Sequence, residues 1–300
     1  MIRVIYNPVA GPRMVRKIGQ VREILSRRGE PFEVRETAGP GDAAILAREA
    51  AFSGVSAVVA VGGDGTINEA VNGLAGTATP LAVVPHGTGN VFAAEAGLPA
   101  GVEGCLDLLS KGVAAEIPLG RAGTRHFLLL ASAGFDAEVV ERMASRQKNL
   151  LGIAAYYLAG VGTLARSQPT LWLEFPGRER VEAQAVVVLR GRLYGGGVLL
   201  APEGSLFGNS LHVVALLRRG RASIVRFALA ALRGKGTDAQ GVLRRETPWV
   251  LVRCRYPSAA QVDGDYLGPL PVKFEMTSVT VRILVPEAFA ARRAPVHPLR

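Results

Sequence analysis

Apolar residues in the first part of the chain form short continuous runs that alternate with runs at helical spacing. The run Ala57–Val61 is rich in β-branched residues, which predicts a strand buried on both faces. Glycines follow it, and apolar residues from Thr66 onward predict a helix that begins there. Further strands are predicted at 2–6, 32–36 and 81–84, and further helices at 15–28 and 43–52. This alternation indicates a parallel sheet with right-handed crossovers.

From about Ala115 the pattern changes to strands separated by glycine turns. The predicted strands are Glu116–Leu119, Arg125–Ala131, Thr170–Glu174, Val181–Leu189, Gly197–Ala201 and Leu211–Leu217. Successive strands without intervening helices are typical of a sandwich. We therefore expect an α/β N-terminal domain with a parallel sheet over residues 1–117 and a β-rich sandwich C-terminal domain over residues 118–285.

One segment, 147–166, is apolar with almost no polar face, and it predicts a helix that either packs in the core or lines a lipid cleft. The uncharged run 149–165 is interrupted by glycines and is shorter than a bilayer span, so we expect no transmembrane helix. The first residues lead directly into a strand and lack the apolar core of a signal peptide. Cys105 and Cys254 are far apart in sequence and predict buried thiols in a cytoplasmic protein.

The chain has 35 basic and 25 acidic residues, a net charge of +10. Such a balance favours anionic partners such as a nucleotide or an anionic lipid surface. Aromatic residues are only 6% of the chain, which makes nucleic acid a poor candidate. Within the basic stretch 217–255, residues Ser223–Arg233 predict a short helix. Its basic face is interpreted equally well as a membrane-docking element or as a solvated surface.

The turn after Ala57–Val61 contains Gly62, Gly63 and Gly65 and leads into a helix N-terminus. Glycines let a ligand approach the main chain, and the amides at the helix N-terminus attract an anion, so this turn predicts a phosphate site. Asp64 within it would repel a bare phosphate. It therefore indicates a nucleotide bound with Mg²⁺ or a carboxylate directed at an attacking hydroxyl, unless it simply caps the helix.

Other polar loops follow the neighbouring predicted strands. Asn7, Pro8 and Gly11 form a loop after the first strand, with Arg13, Arg16 and Lys17 just beyond it as candidates to neutralise phosphate charge; Thr37 follows the second strand. The strand at 81–84 leads into a second glycine loop, Pro85–Asn90. Ligands of parallel sheets collect at the carboxyl ends of strands, where all these loops lie.

These motifs occur in the order found in a known family. The chain resembles diacylglycerol and sphingosine kinases and, more distantly, NAD kinases and phosphofructokinases. The resemblance rests on NPxxG at 7–11, GGDGT at 62–66, PxGTGN at 85–90, GFDA at 134–137, YGGG at 194–197 and DGD at 263–265. It implies an NAD kinase-like first domain, a lipid-substrate second domain and a tail at about 286–300 that returns to the first. It also implies an ATP-dependent kinase, working with ATP and Mg²⁺, that phosphorylates a lipid hydroxyl such as that of diacylglycerol.

The resemblance also assigns the site residues. Those for the nucleotide are Asn7, Pro8, Gly11, Thr37, Gly62, Gly63, Asp64, Gly65, Thr66, Asn68, Gly87, Thr88, Gly89 and Asn90. Asp263 and Asp265 become the catalytic carboxylates, opposite the GGDGT loop, and Asp64 and Asp265 the ligands of Mg²⁺. From the sequence alone, Asp-Gly-Asp is more simply a hairpin turn.

The chain also departs from the family pattern. Val91 stands where relatives carry aspartate, and Phe207 and His212 replace aspartates, the first of which helps to hold a structural Mg²⁺ in relatives. We expect that metal site to be absent or remade. A non-catalytic nucleotide- or lipid-binding protein and an NAD-type small-molecule kinase stay open as alternatives. The expected partners are a lipid alcohol and an anionic membrane surface, with peripheral attachment; a homodimer is left open.

Overall fold

The computed structural model describes residues 1–10, 12–87, 89–145, 163, 170–234 and 240–292. The apolar helix predicted at 147–166 lies outside the described residues except for Thr163. Within the described part, no helix combines the length and the apolar character needed to cross a membrane. The chain divides into two units, which are Met1–Leu119 with Ser278–Arg300, and Gly120–Thr277.

The first unit is built on a parallel sheet. Its strands are β1 (Ile2–Tyr6), β2 (Phe32–Glu36), β3 (Ala57–Gly62), β4 (Leu81–Pro85) and the last part of β18 (Val272–Val285), in the order β2-β1-β3-β4-β18. Each neighbouring pair is parallel. The predicted α/β domain with a parallel sheet is confirmed. Every residue of β3 is buried, as its continuous apolar run predicted.

Helices cover this sheet. They are α1 (Pro12–Arg27), α2 (Asp42–Phe52), α3 (Asp64–Leu74), α4 (Val91–Ala96), α5 (Gly101–Lys111) and the short α8 (Glu287–Ala290). Buried residues of α1 recur every three or four positions and pack with α5 on alternate residues of β1, β3 and β4. Helix α2 packs closely against α3, because Gly73 brings the two backbones together.

The second unit is an antiparallel sandwich, as predicted. One sheet has the order β14-β13-β10-β7-β16-β17, and the other joins the first part of β18 to β15, β8 and β9. The strands are β5 (Val113–Ala122, which enters from the first unit), β6 (Arg125–Phe127), β7 (Leu130–Gly134), β8 (Leu171–Glu174), β9 (Arg180–Ala183), β10 (Ala185–Leu189), β11 (Leu193–Tyr194), β12 (Val198–Leu199), β13 (Leu211–Leu216), β14 (Val242–Thr247), β15 (Trp249–Cys254), β16 (Ala259–Val262) and β17 (Asp265–Pro269). Helices α6 (Phe135–Ser145) and α7 (Arg221–Leu232) lie in the described part of this unit.

Alternate residues of the two sheets form one apolar core. Phe127 and Phe274 meet edge to face within it, with ring centroids 6.4 Å apart. This alternation, one face apolar and buried, is what the period-two pattern of the sequence encodes.

Two of the strands predicted from the sequence are each divided into two shorter strands in the structure. The segment predicted at 181–189 pairs with β8 as β9 and then with β13 and β7 as β10, so the chain changes sheets at Gln184, whose amide donates to Leu216 O. The segment predicted at 125–131 breaks at Leu128 and Leu129. Their amides donate to the carboxylate of Asp263 and not to a neighbouring strand.

We expect Gly73→Ala to lower the free energy of unfolding by about 1–3 kcal/mol, because the added Cβ would lie 2.3 Å from the carbonyl oxygen of Ala44. Gly19→Ala is the matched control. That helical glycine has nothing within 4 Å of an added Cβ, so alanine should stabilise the protein by about 0.5–1 kcal/mol. Urea unfolding of both variants measures the difference, and equal effects would contradict this packing.

Candidate active site

Four loops of the first unit lie at the carboxyl-end edge of the parallel sheet. They follow β1 at Asn7, β2 at Thr37, β3 at Gly63 and β4 at His86. Hydrogen bonds join neighbouring loops, since the Thr37 amide donates to Tyr6 O at 2.9 Å and the His86 amide to Gly62 O at 2.7 Å. The predicted nucleotide residues of these loops are therefore brought to one edge, although Gly11 and Thr88 lie outside the described residues.

The loop after β3 presents a helix N-terminus. Helix α3 begins at Asp64, two residues earlier than predicted, with Gly63 as its extended N-cap. The first hydrogen bond of the helix runs from the Ile67 amide to Gly63 O, at 3.1 Å. The amides of Asp64, Gly65 and Thr66 thus have no acceptor within the helix, and these residues are partly exposed. This arrangement can bind an anion.

Asp64 caps a different helix from its own. Its carboxylate accepts hydrogen bonds from the amides of Val91, at 3.2 Å, and Phe92, at 3.4 Å, at the start of α4. Burial raises the pKa of Asp64, and the amides of α4 oppose that rise. The contact ties the GGDGT loop to the PHGTGN loop, and it compensates a carboxylate that would otherwise repel phosphate.

Glycines allow the two loops to approach. A Cβ on Gly87 would lie 3.1 Å from the Cα of Gly63, and a Cβ on Gly89 would lie 3.1 Å from Asp64 Oδ2. Asn90 closes the second loop in a left-handed conformation, with φ 44°, and its Nδ2 donates to Gly87 O at 2.7 Å. Both loops therefore form one compact backbone surface.

Cationic groups lie beside this surface. Lys17 Nζ donates to Pro85 O at 2.6 Å, and burial lowers the pKa of this lysine. Burial, followed by the nearby Lys17 charge, lowers the pKa of His86. A cavity of about 350 Å³ adjoins Lys17, and Pro85, Asn90 and Gly101 are also part of its lining.

Two predicted nucleotide residues have local structural contacts. Asn68 is buried in α3, with 1% of its surface exposed, and its Oδ1 accepts from Asn72 Nδ2 at 3.2 Å. Asn7 Oδ1 accepts from the Val9 amide at 3.1 Å, which shapes the loop after β1. Glu69 also makes a contact that was not predicted from the sequence. It accepts hydrogen bonds from the amides of Gly41, at 2.8 Å, and Ala43, at 3.1 Å, and so caps α2.

In the second unit, Asp263 and Gly264 form the two-residue turn between β16 and β17. Both have positive φ, 46° and 87°, as a type I′ turn requires. Asp263 is buried, and its carboxylate accepts from the amides of Leu128, Leu129 and Leu130 at 2.6, 2.9 and 2.8 Å. Three such bonds compensate a buried negative charge and fix the hairpin.

Asp265 differs from Asp263 in exposure. Its side chain is 38% exposed and forms an ion pair with Arg125, Nη2 to Oδ2, at 2.6 Å. One carboxylate of the DGD motif is therefore held by the backbone, while the other is accessible. Arg125 was missed from the sequence because it lies far from Asp265 along the chain.

A buried polar network holds the same hairpin. Gln261 Oε1 accepts from the Gly264 amide at 2.9 Å, and its Nε2 donates to Ser132 Oγ at 2.9 Å and Asp136 Oδ2 at 3.1 Å. The Tyr194 hydroxyl also donates to Asp136. Asp136 lies in the first turn of α6, which begins at Phe135. The network connects the GFDA, YGGG and DGD motifs.

The side chain of Arg190 contacts the loop that contains Phe207, one of the positions where the sequence departs from the family pattern. Its guanidinium is fully buried and donates to the carbonyl oxygens of Leu206 and Gly208, the latter at 3.2 Å. Burial lowers the pKa of Arg190 to about 10, although the charge of Asp263 opposes the shift. A positive group already binds these carbonyls, so this loop does not fit a divalent cation.

Comparisons with known proteins match this architecture. The diacylglycerol kinase catalytic domain matches residues 1–122, and the "YegS C-terminal NAD kinase beta sandwich-like domain" matches residues 130–285. Two solved structures from Bacillus anthracis strain Sterne share the fold. One has a TM-score of 0.76 at 22% identity, covering 96% of this chain and 98% of that one; the other, a diacylglycerol kinase, has 0.69 at 18%, covering 96% and 97%.

Curated relatives match over nearly the whole chain. A diacylglycerol kinase of Bacillus subtilis is 32% identical over 95% of this chain and 96% of its own length. One of Staphylococcus aureus strain JH9 is 28% identical over 91% and 88%. The matches favour neither a non-catalytic binding protein nor a small-molecule kinase. With both halves matched in order and a relative of such identity, the chain belongs to the diacylglycerol kinase family of lipid kinases.

Proposed function

We propose that this chain transfers the γ-phosphoryl group of ATP to the free hydroxyl of diacylglycerol. The observation that carries the proposal is the pair of glycine loops joined through the contact of Asp64 with the amides of Val91 and Phe92. Diacylglycerol as the acceptor is supported by the names of the relatives from Bacillus subtilis and Staphylococcus aureus.

The first unit binds the nucleotide in this proposal. The amides of Asp64, Gly65 and Thr66 would donate to phosphate oxygens, and Lys17 would supply positive charge beside them. The remaining loop residues in the proposal are Asn7, Pro8, Gly11, Thr37, Gly62, Gly63, Gly87, Thr88, Gly89 and Asn90. Asn68, which is buried, would support α3 from within and not touch the nucleotide directly.

The second unit supplies the proton acceptor. The lipid hydroxyl oxygen attacks the γ-phosphorus, the bond from that phosphorus to the bridging oxygen breaks, and ADP leaves with that oxygen. Asp265 takes the hydroxyl proton, because its carboxylate is accessible. Asp263 positions the hairpin, since backbone amides occupy its oxygens.

The residues present fit an Mg²⁺ ion that arrives with the nucleotide. Such an ion needs one or two carboxylates together with phosphate oxygens. Asp64 keeps lone pairs beyond those used by the amides of α4, so its carboxylate would bind the ion. When bound, the ion would offset negative charge on the phosphates.

The acceptor would be reached at a membrane. Diacylglycerol resides in the bilayer, so the chain would attach peripherally to an anionic surface. The net charge of +10 supports such an attachment.

The test of this function is transfer of label from γ-labelled ATP, with Mg²⁺, to lipid alcohols in mixed micelles. Diacylglycerol, a sphingoid base, phosphatidylglycerol and a prenol are compared, with NAD as a soluble acceptor. Label in diacylglycerol is the expected result. Label in another acceptor, or none while ATP still binds, would contradict the proposal.

The two carboxylates of the hairpin should respond differently to amidation. Asp265→Asn should lower kcat by about 100-fold or more through loss of the proton acceptor, with little change in stability, because its ion pair is partly exposed. Asp263→Asn should lower the free energy of unfolding by about 3–5 kcal/mol, because it removes a buried charge that compensates Arg190.

Turnover with diacylglycerol and urea unfolding are measured on both variants. A stable but inactive Asp263→Asn beside an active Asp265→Asn would show that the roles are reversed.

Removing the charge of Lys17 should weaken nucleotide binding. We expect Lys17→Met to raise the Kd for ATP by about 10- to 100-fold, the usual range for one lost charge-assisted hydrogen bond. Lys111→Met is the matched control, since it removes the same charge from the exposed C-terminal end of α5. Fluorescence titration with a labelled ATP analogue measures both, and equal affinities would exclude this contact.

A further inference from the structure

Helix α7 has an apolar stripe that points away from the protein. Val225, Leu229 and Leu232 are 42%, 46% and 60% exposed. At about 100° per residue, these positions lie along one face of the helix. Ser223 and Ile224 are buried on another face, where α7 packs against β12 and β13. The stripe is therefore the outer surface of a docked helix and not a part of the core.

Positive charge flanks this stripe. Arg226 and Arg233 project beside it by the same helical spacing, and neither forms an ion pair with any residue that the structure describes. The sequence from 204 to 237 contains no aspartate or glutamate, whereas it contains Arg218, Arg219, Arg221, Arg226, Arg233 and Lys235. The outer face of α7 thus combines apolar side chains with uncompensated cations.

The combination favours one kind of occupant. A second copy of this chain would bring the same arginines face to face in a two-fold interface, and three apolar side chains give too little area for a stable dimer. An anionic bilayer complements both features, because its headgroups pair with guanidinium groups while its acyl boundary accepts leucine and valine.

We propose that α7 is the element by which this chain docks on anionic membranes. Val225, Leu229 and Leu232 enter the acyl boundary, and Arg226 and Arg233 bind lipid phosphates. Leu199 on β12, which is 42% exposed, extends the apolar surface beside the helix. The inference rests on the proposed function in one respect, namely that the acceptor lipid resides in the bilayer.

The test is sedimentation of the full chain with vesicles, without ATP. Vesicles of phosphatidylcholine are compared with vesicles that also contain phosphatidylglycerol. Leu229→Gln with Leu232→Gln removes most of the stripe, and we expect about tenfold weaker binding to the anionic vesicles. Arg226→Gln with Arg233→Gln should weaken that binding by about fivefold per charge and reduce its dependence on salt.

A matched control removes equivalent groups from another helix of the chain. Arg48 is exposed on α2 and Phe52 is 81% exposed at its end, so Arg48→Gln with Phe52→Gln changes one exposed cation and one exposed apolar group. This variant should bind vesicles like the unmodified chain. If it loses as much binding as the α7 variants, attachment is not specific to α7 and the proposal is wrong.

Activity separates docking from catalysis. With a short-chain diacylglycerol dissolved below its micelle concentration, the α7 variants should keep the unmodified kcat. If the unmodified chain binds anionic vesicles through α7 but phosphorylates no lipid, docking is supported and the proposed function is overturned. Docking is overturned if neither pair of α7 substitutions weakens vesicle binding, or if the apolar pair abolishes a dimer in analytical ultracentrifugation and leaves vesicle binding unchanged.

Discussion

The carboxylate of Asp64 accepts hydrogen bonds from the amides of Val91 and Phe92, and the glycine loops of the first unit depend on this contact. A loop that binds phosphate through its amides cannot tolerate an uncompensated carboxylate. Directing Asp64 into the N-terminus of α4 satisfies the carboxylate and leaves the first amides of α3 available. Gly63, Gly87 and Gly89 follow from this arrangement, because the loops must approach closely enough for the contact to form.

In the second unit, backbone amides again hold a buried carboxylate, and there the contact fixes a turn. Asp263 is held by backbone amides, as Asp64 is, but its purpose is to fix a turn whose next residue, Asp265, stays accessible. The interruption between β6 and β7 is the structural cost of this contact, since the amides of Leu128 and Leu129 leave the sheet to reach Asp263. Rigid positioning beside an exposed carboxylate suits phosphoryl transfer, in which geometry and charge supply most of the catalysis.

Local pattern was sufficient to predict the fold class. The buried run of β3, the βα alternation and the later succession of strands depend on periodicity, which neighbouring residues set. The sequence also predicted the two glycine loops and the hairpin at Asp263. It could not predict that Asp64 caps α4, because that contact joins separate loops. Nor could it predict the change of sheet at Gln184, since β9 and β10 are distinguished only by their partners. Arg190 and Gln261 were missed for the same reason, as their roles depend on residues distant in sequence.

Arg190 determines how the loop at Leu206 and Gly208 responds to divalent ions in solution. A metal ion in a loop is an exchangeable ligand, so the loop's stability follows the free concentration of that ion. A guanidinium bound to the carbonyl oxygens of Leu206 and Gly208 is part of the chain, and neither a chelator nor a competing ion can remove it. The hydrogen bonds that hold this loop therefore do not depend on the supply of divalent ions.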